Sequence, residues 1–164
     1  MVATRTRDRG TRRGDLPDIS NCACATLRRA ARLVTALYDE ELRLHLPASQ
    51  FALLSAIKSR PGCNQSMLAR MLAFDKTTLS RNLALLRRNG WIELATAGGQ
   101  REHVRLTKDG TKLLAVAKPG WRRAQNRLRS TMSDAQWNAM WRVIRDVTNC
   151  AYQAREMKRH RTRK

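Results

Sequence analysis

The stretch DKTTLSRNLALLRRNGW, residues 75–91, combines hydrogen-bonding side chains with leucines at helical spacing. Leu79, Leu83 and Leu86 recur every three or four residues and predict one stripe that packs inward. The other positions hold short hydroxyls, an asparagine and arginines. An arginine can donate two hydrogen bonds to a guanine edge, and an asparagine can pair with adenine, in a major groove about 12 Å wide. The stretch therefore predicts a helix with one core face and one face that binds DNA.

Two kinds of DNA contact are expected from this helix. Arg81 and Asn82 are the candidates for paired hydrogen bonds to base edges, and the short side chains beside them let the helix lie deep in the groove. Lys76 and Arg87 are expected to bind phosphate. The full set of predicted contact residues is Lys76, Thr77, Thr78, Ser80, Arg81, Asn82, Arg87 and Arg88.

A second candidate for chemistry is the Cys-x-Cys pair formed by Cys22 and Cys24. A thiol at a helix N-terminus close to Arg28 and Arg29 is favoured as the thiolate, which is the form that reacts with oxidants. Cys150 is then a candidate resolving thiol from another subunit. The alternative is that these cysteines are small buried hydrophobic residues.

Common patterns for catalysis and metal binding are missing from the sequence. It contains no phosphate-binding glycine-rich loop, no His-Glu-x-x-His and no Gly-x-Ser-x-Gly motif. The pair Cys22 and Cys24, taken with His45 and with His103 or His160, is too short and isolated for a structural zinc site. The sequence therefore predicts no enzyme, no metal and no cofactor.

Hydrophobic periodicity predicts the elements that must position these residues. Residues 22–45 have helical spacing, and a second helix follows Pro47. Asn64 and Asp75 are the predicted N-caps of the third and fourth helices. Gly90 is expected to end the fourth helix in a left-handed conformation.

After Gly90 the period changes from helical to alternating. The segments WIELAT and REHVRLT alternate on either side of AGGQ, which predicts a β-hairpin. Helical spacing returns at residue 107, with Lys118-Pro119-Gly120 as a candidate kink, and Ser133 is the expected cap of the last helix. A short helix, a tight connection, a second helix and a hairpin make a winged helix-turn-helix. The predicted class is mostly α with a small β-hairpin wing, an α+β fold.

The hairpin is the predicted wing, and its second strand is basic. Arg101 is the best-placed arginine for the neighbouring minor groove, because narrow A·T tracts attract arginine. His103 and Arg105 are weaker candidates. Alternation places these three residues on one face of the hairpin and Val104 on the other.

Charge is the strongest global signal. The chain has 164 residues with 33 Lys and Arg against 13 Asp and Glu, a net charge of +20. Such an excess predicts affinity for polyanions, above all nucleic acid, so a non-specific basic nucleic-acid-binding protein is an alternative to a sequence-specific one. No run of about 18 apolar residues occurs, and the N-terminal residues lack the apolar core of a secretory signal. We therefore expect a cytoplasmic protein with no membrane partner.

Three segments make the sequence resemble the MarR family of bacterial transcription regulators, namely PASQFALLSAI, LARMLAFDKTTLSRNLALLRRNGWIEL and VRLTKDG, within residues 22–155. The resemblance implies a homodimer that joins through its first, fifth and sixth helices and binds a pseudo-palindromic operator in double-stranded DNA. It also implies repression that a small aromatic or phenolic ligand releases. Many members carry an Asp two residues before the wing arginine, whereas Gly99 occupies that place here.

The resemblance also suggests two regulatory sites. A ligand between the dimerisation and DNA-binding regions would lie near the first, second and fifth helices, with candidate walls at Tyr38, His45, Phe51 and Trp121. Family members that sense organic hydroperoxides carry a cysteine at the start of the first helix and a tyrosine fourteen residues later, the spacing of Cys24 and Tyr38. A second tyrosine of those sensors is replaced here by Ala48. A thiol-based redox regulator of the same fold, using Cys22 and Cys24, is the main alternative to ligand release.

The last helix supports a dimer on physical grounds as well. Trp137, Trp141 and Ile144 follow helical spacing. Burial of apolar surface stabilises by about 25 cal/mol per Å², so two tryptophans on an outer helix favour a partner surface. The alternative is packing on the first helix within one subunit.

These arguments predict five segments along the chain. They are a flexible basic arm (1–20), a dimerisation helix (21–46), a winged helix-turn-helix domain (47–106), C-terminal dimerisation helices (107–157) and a basic tail (158–164).

Overall fold

The computed structural model of the protein describes residues 22–43, 45–95 and 103–161, with side chains described up to residue 157. The predicted arm at 1–20 and the wing tip, including Arg101, lie outside the described residues. The elements in chain order are α1 (Ala23–Leu42), α2 (Ala48–Ser59), α3 (Gln65–Leu72), α4 (Lys76–Arg88), β1 (Ile92–Ala95), β2 (His103–Leu106), α5 (Lys108–Ser130) and α6 (Asp134–Arg161). The predicted order of four helices, a hairpin and two helices is confirmed.

The chain divides after Leu33 into two units, which we describe separately. Residues 22–33 of the first unit form the beginning of α1, where Leu27 and Leu33 are exposed. The second unit contains all the contacts discussed below. Its β1 and β2 strands pair antiparallel, with Ile92 opposite Leu106 and Ala95 opposite His103.

One hydrophobic core joins α2, α3, α4, the hairpin and the first half of α5. The core leucines of α2, Leu53 and Leu54, are fully inaccessible to solvent. Leu68 of α3 and Leu86 of α4 are equally buried, and Leu114 of α5 packs in the same cluster. The predicted boundary at residue 107 is therefore not a break in packing, because the start of α5 belongs to the core of the winged domain.

The caps inferred from the sequence are present. The Asn64 side chain accepts a hydrogen bond from the Met67 amide at the start of α3. Gly90 has a φ of 71°, and the Trp91 amide donates to the Leu86 carbonyl across the end of α4. This is the left-handed helix ending that glycine favours.

The structure bears on two predictions about where helices end. Helix α5 does not end at the candidate kink but continues through Pro119. A Cβ added to Gly120 would lie 2.6 Å from the Glu41 carbonyl oxygen, so the glycine permits a close approach of α1 to α5. The predicted tail at 158–164 is helical through Arg161, because no proline or glycine interrupts the sequence after Asp134.

Candidate nucleic-acid interface

The start of α4 is fixed by its N-cap, Asp75. One carboxylate oxygen accepts a hydrogen bond from the Thr78 amide at 2.8 Å, and the other accepts from the Thr78 hydroxyl at 2.6 Å. The hydroxyl bond, followed by the amide bond, lowers the pKa of Asp75 below its ordinary value. Ala73 turns the chain between α3 and α4 with a φ of 52°. The tight connection of a helix-turn-helix is therefore in place.

Replacement of Asp75 tests how much this cap holds α4 in position. We expect Asp75→Ala to lower the melting temperature by a few degrees at neutral pH, and Asp75→Asn to lose less because its one amide oxygen can still accept the bond from the Thr78 amide. Because folding lowers the pKa of Asp75, its contribution is present above the unfolded pKa and is lost as the pH falls through the folded pKa. Thermal melts of all three proteins at pH 7 and pH 3 measure this. Equal melting temperatures for the native chain and Asp75→Ala at pH 7 would contradict the cap's role.

The two faces of α4 separate as the sequence predicts. Leu79, Leu83 and Leu86 are buried, at 2%, 5% and 0% exposure. The opposite face consists of exposed side chains that include both basic ends of the helix. The exposed members of the predicted contact set are Lys76, Thr77, Ser80, Arg81, Arg87 and Arg88.

Two residues of the predicted contact set are engaged within the helix. Thr78 uses its hydroxyl on Asp75, and the Asn82 side-chain amide donates to the Thr78 carbonyl at 2.9 Å. Both are only partly exposed. This bond uses one of the two Asn82 amide hydrogens and fixes the side chain along the helix, whereas Arg81 is exposed, so Arg81 is the stronger base-reading candidate. The sequence already indicated this position, because Asn82 directly precedes Leu83, a member of the buried leucine stripe.

The base of the hairpin is attached to the turn between α2 and α3. The Val104 amide donates to the Cys63 carbonyl at 2.8 Å, and His103 Nδ1 lies 2.6 Å from the Gly62 carbonyl oxygen. Burial raises the pKa of the Cys63 thiol, which keeps it protonated and structural. Arg105 forms an ion pair with Glu93 on the facing strand at 3.1 Å. His103 and Arg105 therefore have intramolecular partners, which makes them weaker DNA ligands than an unpaired arginine.

The end of α4, the start of β1 and the start of α5 are tied together at one place. The Thr107 hydroxyl donates to the Gly90 carbonyl at 2.6 Å and accepts from the Gly110 amide at 3.0 Å. The Thr107 amide donates to the Trp91 carbonyl at 3.1 Å. A Cβ on Gly110 would collide with the Trp91 carbonyl, so only glycine allows α5 to approach this closely.

Comparison with known proteins agrees with this geometry. A sequence model of the MarR family matches residues 46–102. The transcriptional regulator HosA of Escherichia coli O157:H7 is 34% identical over 103 residues, which are 62% of this chain and 76% of HosA. The M. tuberculosis transcriptional regulator MosR is 33% identical, with 83% of this chain and 99% of MosR covered and a TM-score of 0.73. MosR in a structure with DNA is 34% identical, with 82% of this chain and 98% of the MosR chain covered and a TM-score of 0.74.

This chain belongs to the MarR family. It is accordingly a DNA-binding transcriptional regulator with a winged helix-turn-helix, and its relatives are regulators rather than enzymes. The family assignment and fold class predicted from the sequence are confirmed.

This MarR-family chain has a cavity of about 660 Å³ between α1, α2 and α5. Three of the four predicted ligand-pocket residues, Tyr38, Phe51 and Trp121, line it. The rings of Phe51 and Trp121 stack with centroids 6.2 Å apart and an angle of 17° between their planes. The fourth, His45, is exposed after the end of α1 and is not among the lining residues. His45 stays a prediction as a ligand contact, and it lies beyond the end of α1 at Leu42.

The sequence prediction missed two lysines of the cavity. Lys58 of α2 and Lys118 of α5 line it together with small residues such as Ala52 and Ser55. The spacing from Phe51 to Ser55 and Lys58 puts them on one helix face, which was the available signal for Lys58. An apolar cavity with stacked rings and two lysines suits an aromatic molecule that carries an anionic group.

Polar contacts beside the cavity connect the end of α1 to α5. The Tyr38 hydroxyl donates to the Gln125 side-chain oxygen, and burial raises the pKa of this tyrosine, so it remains a donor at neutral pH. Glu41 accepts from Arg123 at 2.9 Å and from Arg127 at 3.0 Å. These bonds, with Arg123 first, lower the pKa of Glu41. A ligand next to Tyr38 would therefore be next to the contacts that join the two helices.

The outer helix α6 presents apolar side chains to solvent. Trp141 and Ile144 are each 46% exposed, which leaves their apolar surface accessible to solvent. Trp137 is less exposed, since its ring meets Trp141 edge-on at 5.6 Å and lies under the Arg129 guanidinium at 5.5 Å.

Among the described residues no helix is long and apolar enough to cross a membrane.

Three of the four cysteines are accessible to solvent. Cys22, Cys24 and Cys150 are exposed, whereas Cys63 is buried. The alternative that these three cysteines are small buried core residues is therefore wrong within the part of the chain that the structure describes.

Proposed function

We propose that this MarR-family regulator is a repressor that binds a pseudo-palindromic operator as a homodimer. The observation that carries the proposal is the exposed face of α4, where Arg81 stands among Thr77 and Ser80 with no acid between them. Short neighbours let the helix enter the major groove, and a free guanidinium supplies the paired donors that recognise guanine. The complex of the relative MosR with DNA supports this role.

A homodimer sets the spacing of the two α4 helices. The exposed apolar residues of α6, among them Trp141 and Ile144, support association through this helix. Two copies of α4 must then stand about 34 Å apart, or a multiple of that distance, to enter successive major grooves on one face of the duplex. Repression follows where such an operator overlaps a promoter.

Release is proposed to act through the cavity. A ligand beside the Phe51 and Trp121 rings touches α2 and α5, and α2 packs directly on the helix-turn-helix core. The ligand lowers DNA affinity if it binds better to a dimer whose α4 helices have the wrong spacing. Lys58 and Lys118 favour aromatic carboxylates over neutral phenols, since both ammonium groups attract an anion.

Fluorescence anisotropy at one fixed, near-physiological salt concentration tests the DNA-binding part of the proposal. The duplex upstream of the protein's own gene is compared with a scrambled duplex of equal length. A preference of about a thousandfold or more is expected for specific binding. Equal affinity for these duplexes and for a library of genomic fragments would support the alternative of a non-specific basic nucleic-acid-binding protein.

Filling the cavity tests the ligand part of the proposal. Ala52→Trp places an indole where the ligand would lie, so benzoate and phenol are expected to release the native protein but not the variant, while operator affinity changes less than about threefold. Ala135→Trp, at an exposed site on α6 outside the cavity, is the matched control. Unchanged release of Ala52→Trp would show that the cavity is not the effector site.

The exposed cysteines favour one alternative mechanism, in which oxidation rather than a ligand releases DNA. Cys22 and Cys24 are accessible thiols at the start of α1. In that case cumene hydroperoxide would release the native protein from its operator, and Cys24→Ser would abolish the response. Under the ligand proposal Cys24→Ser responds to benzoate as the native protein does.

A further inference from the structure

The far end of α6 is attached to the helix-turn-helix. The Tyr152 hydroxyl donates a hydrogen bond to the Arg70 carbonyl at 2.9 Å, across 82 residues of sequence. Arg70 lies in the last turn of α3, and its carbonyl also accepts a hydrogen bond from the Ala73 amide at 3.4 Å. The Tyr152 bond is therefore a second and shorter bond to this carbonyl, and it attaches α6 to the end of α3.

This attachment is close to the start of the DNA-binding helix. From Arg70 the chain passes through the left-handed turn at Ala73 to the cap at Asp75, and α4 begins at Lys76. Tyr152 thus brings α6 beside the end of α3 that leads directly into α4. Arg70 and Lys76 are both exposed there.

The part of α6 beyond Tyr152 is strongly basic. It contains Arg155, Lys158, Arg159 and Arg161, with Glu156 as its single acid. The backbone is helical to Arg161, so it continues about 14 Å past Tyr152 at 1.5 Å per residue. Positions 155 and 159 fall on the same side of the helix as position 152, and the Arg155 side chain is exposed.

We propose that residues 155–161 of α6 form an additional DNA-contacting element that binds backbone phosphates beside the groove entered by α4. The proposal rests on the proposed role of α4 in the major groove. The partner is the phosphate backbone, because positive residues bind phosphates of any sequence, and residues 153–161 contain none of the short Ser, Thr and Asn residues that α4 offers to base edges. The element increases affinity for any duplex and does not select a sequence.

The salt dependence of DNA binding tests this proposal. Each phosphate contact contributes about 0.9 to the slope of log affinity against log salt concentration, so loss of Arg155 and Arg159 from both chains of a dimer is expected to lower the slope by about 3 to 4. The preference for the operator over scrambled duplex stays within about threefold. Anisotropy of Arg155→Ala/Arg159→Ala at four salt concentrations measures both quantities. Arg145→Ala is the control for a general loss of charge, because it removes a positive charge from the same helix two turns before Tyr152. Its slope of log affinity against log salt concentration is expected to differ from the native slope by no more than about 0.5 per lost charge.

Tyr152→Phe tests whether the position of residues 155–161 depends on the hydrogen bond from Tyr152 to the Arg70 carbonyl. Without the hydroxyl, affinity is expected to fall about threefold to tenfold in the native background and not at all in the Arg155→Ala/Arg159→Ala background. The proposal is overturned if the Arg155→Ala/Arg159→Ala variant keeps the native salt slope. It is also overturned if Arg145→Ala lowers the slope as much, per removed charge, as the double variant does. Failure of the α4 proposal is distinguishable, since it would remove the operator preference of the native chain while the slope difference on scrambled duplex remained.

Discussion

Arg81→Ala is expected to lower operator affinity by about a hundredfold or more. A bidentate contact from arginine to guanine contributes about 1–3 kcal/mol of discrimination against the wrong base, and a dimer loses two of them. Affinity for a scrambled duplex is expected to fall less than tenfold, because only charge is lost there. The measurement is anisotropy with both duplexes at one salt concentration, together with a panel of operators that carry single base changes. Relaxed discrimination at one symmetric pair of positions would identify the bases that Arg81 reads.

Arg81→Lys is the matched control, because it keeps the positive charge and removes the planar pair of donors. If Arg81 reads a base, both substitutions lose operator preference to a similar extent. If Arg81 only binds phosphate, the lysine variant keeps most of the affinity and all of the preference. Retention of preference by both variants would contradict a base-reading role for this residue.

Gly110→Ala is expected to destabilise the winged domain by about 2 kcal/mol or more, as overpacking of a close contact does. Helix propensity argues the other way, since alanine in place of glycine gains about 1 kcal/mol in an ordinary helix. Here the added Cβ would collide with the Trp91 carbonyl. That same carbonyl accepts the Thr107 amide, so it cannot move without breaking the join between β1 and α5. The steric cost therefore outweighs the propensity gain.

Urea unfolding at a fixed protein concentration measures the effect of Gly110→Ala, since the proposed dimer would make stability depend on concentration. Thr111→Ala is the control, because Thr111 is exposed on the next position of the same helix and an exposed substitution usually changes stability by less than about 0.5 kcal/mol. A gain in stability for Gly110→Ala would show that propensity dominates and that α5 is free to shift from Trp91.

The helix-turn-helix is the part of the fold that the sequence determined best. The leucine stripe of α4, the caps at Asn64 and Asp75 and the glycine ending at Gly90 all depend on residues a few positions apart. Side-chain spacing and backbone capping act over one or two turns, so sequence pattern carries them. The change from helical to alternating period likewise placed the hairpin between α4 and α5.

The candidate sites were determined less completely, because the sequence pattern does not show which side chains already have a hydrogen-bond or ion-pair partner in the folded chain. The sequence marks Asn82 and Arg105 as DNA ligands, but Asn82 bonds to the Thr78 carbonyl and Arg105 pairs with Glu93. Arg101 stays a prediction, since it lies outside the described residues.

Contacts between segments far apart in the chain were decided only by the tertiary structure. The sequence offered His45 and Tyr38 equally as cavity walls, but only Tyr38 lines the cavity. Lys118, which the sequence did not indicate, lines it as well. The bond from Tyr152 to the Arg70 carbonyl joins residues 82 positions apart, and no local pattern contains it. The physical reason is that periodicity tells which face of a helix is apolar, whereas the packing of several helices on one core decides which neighbours that face meets.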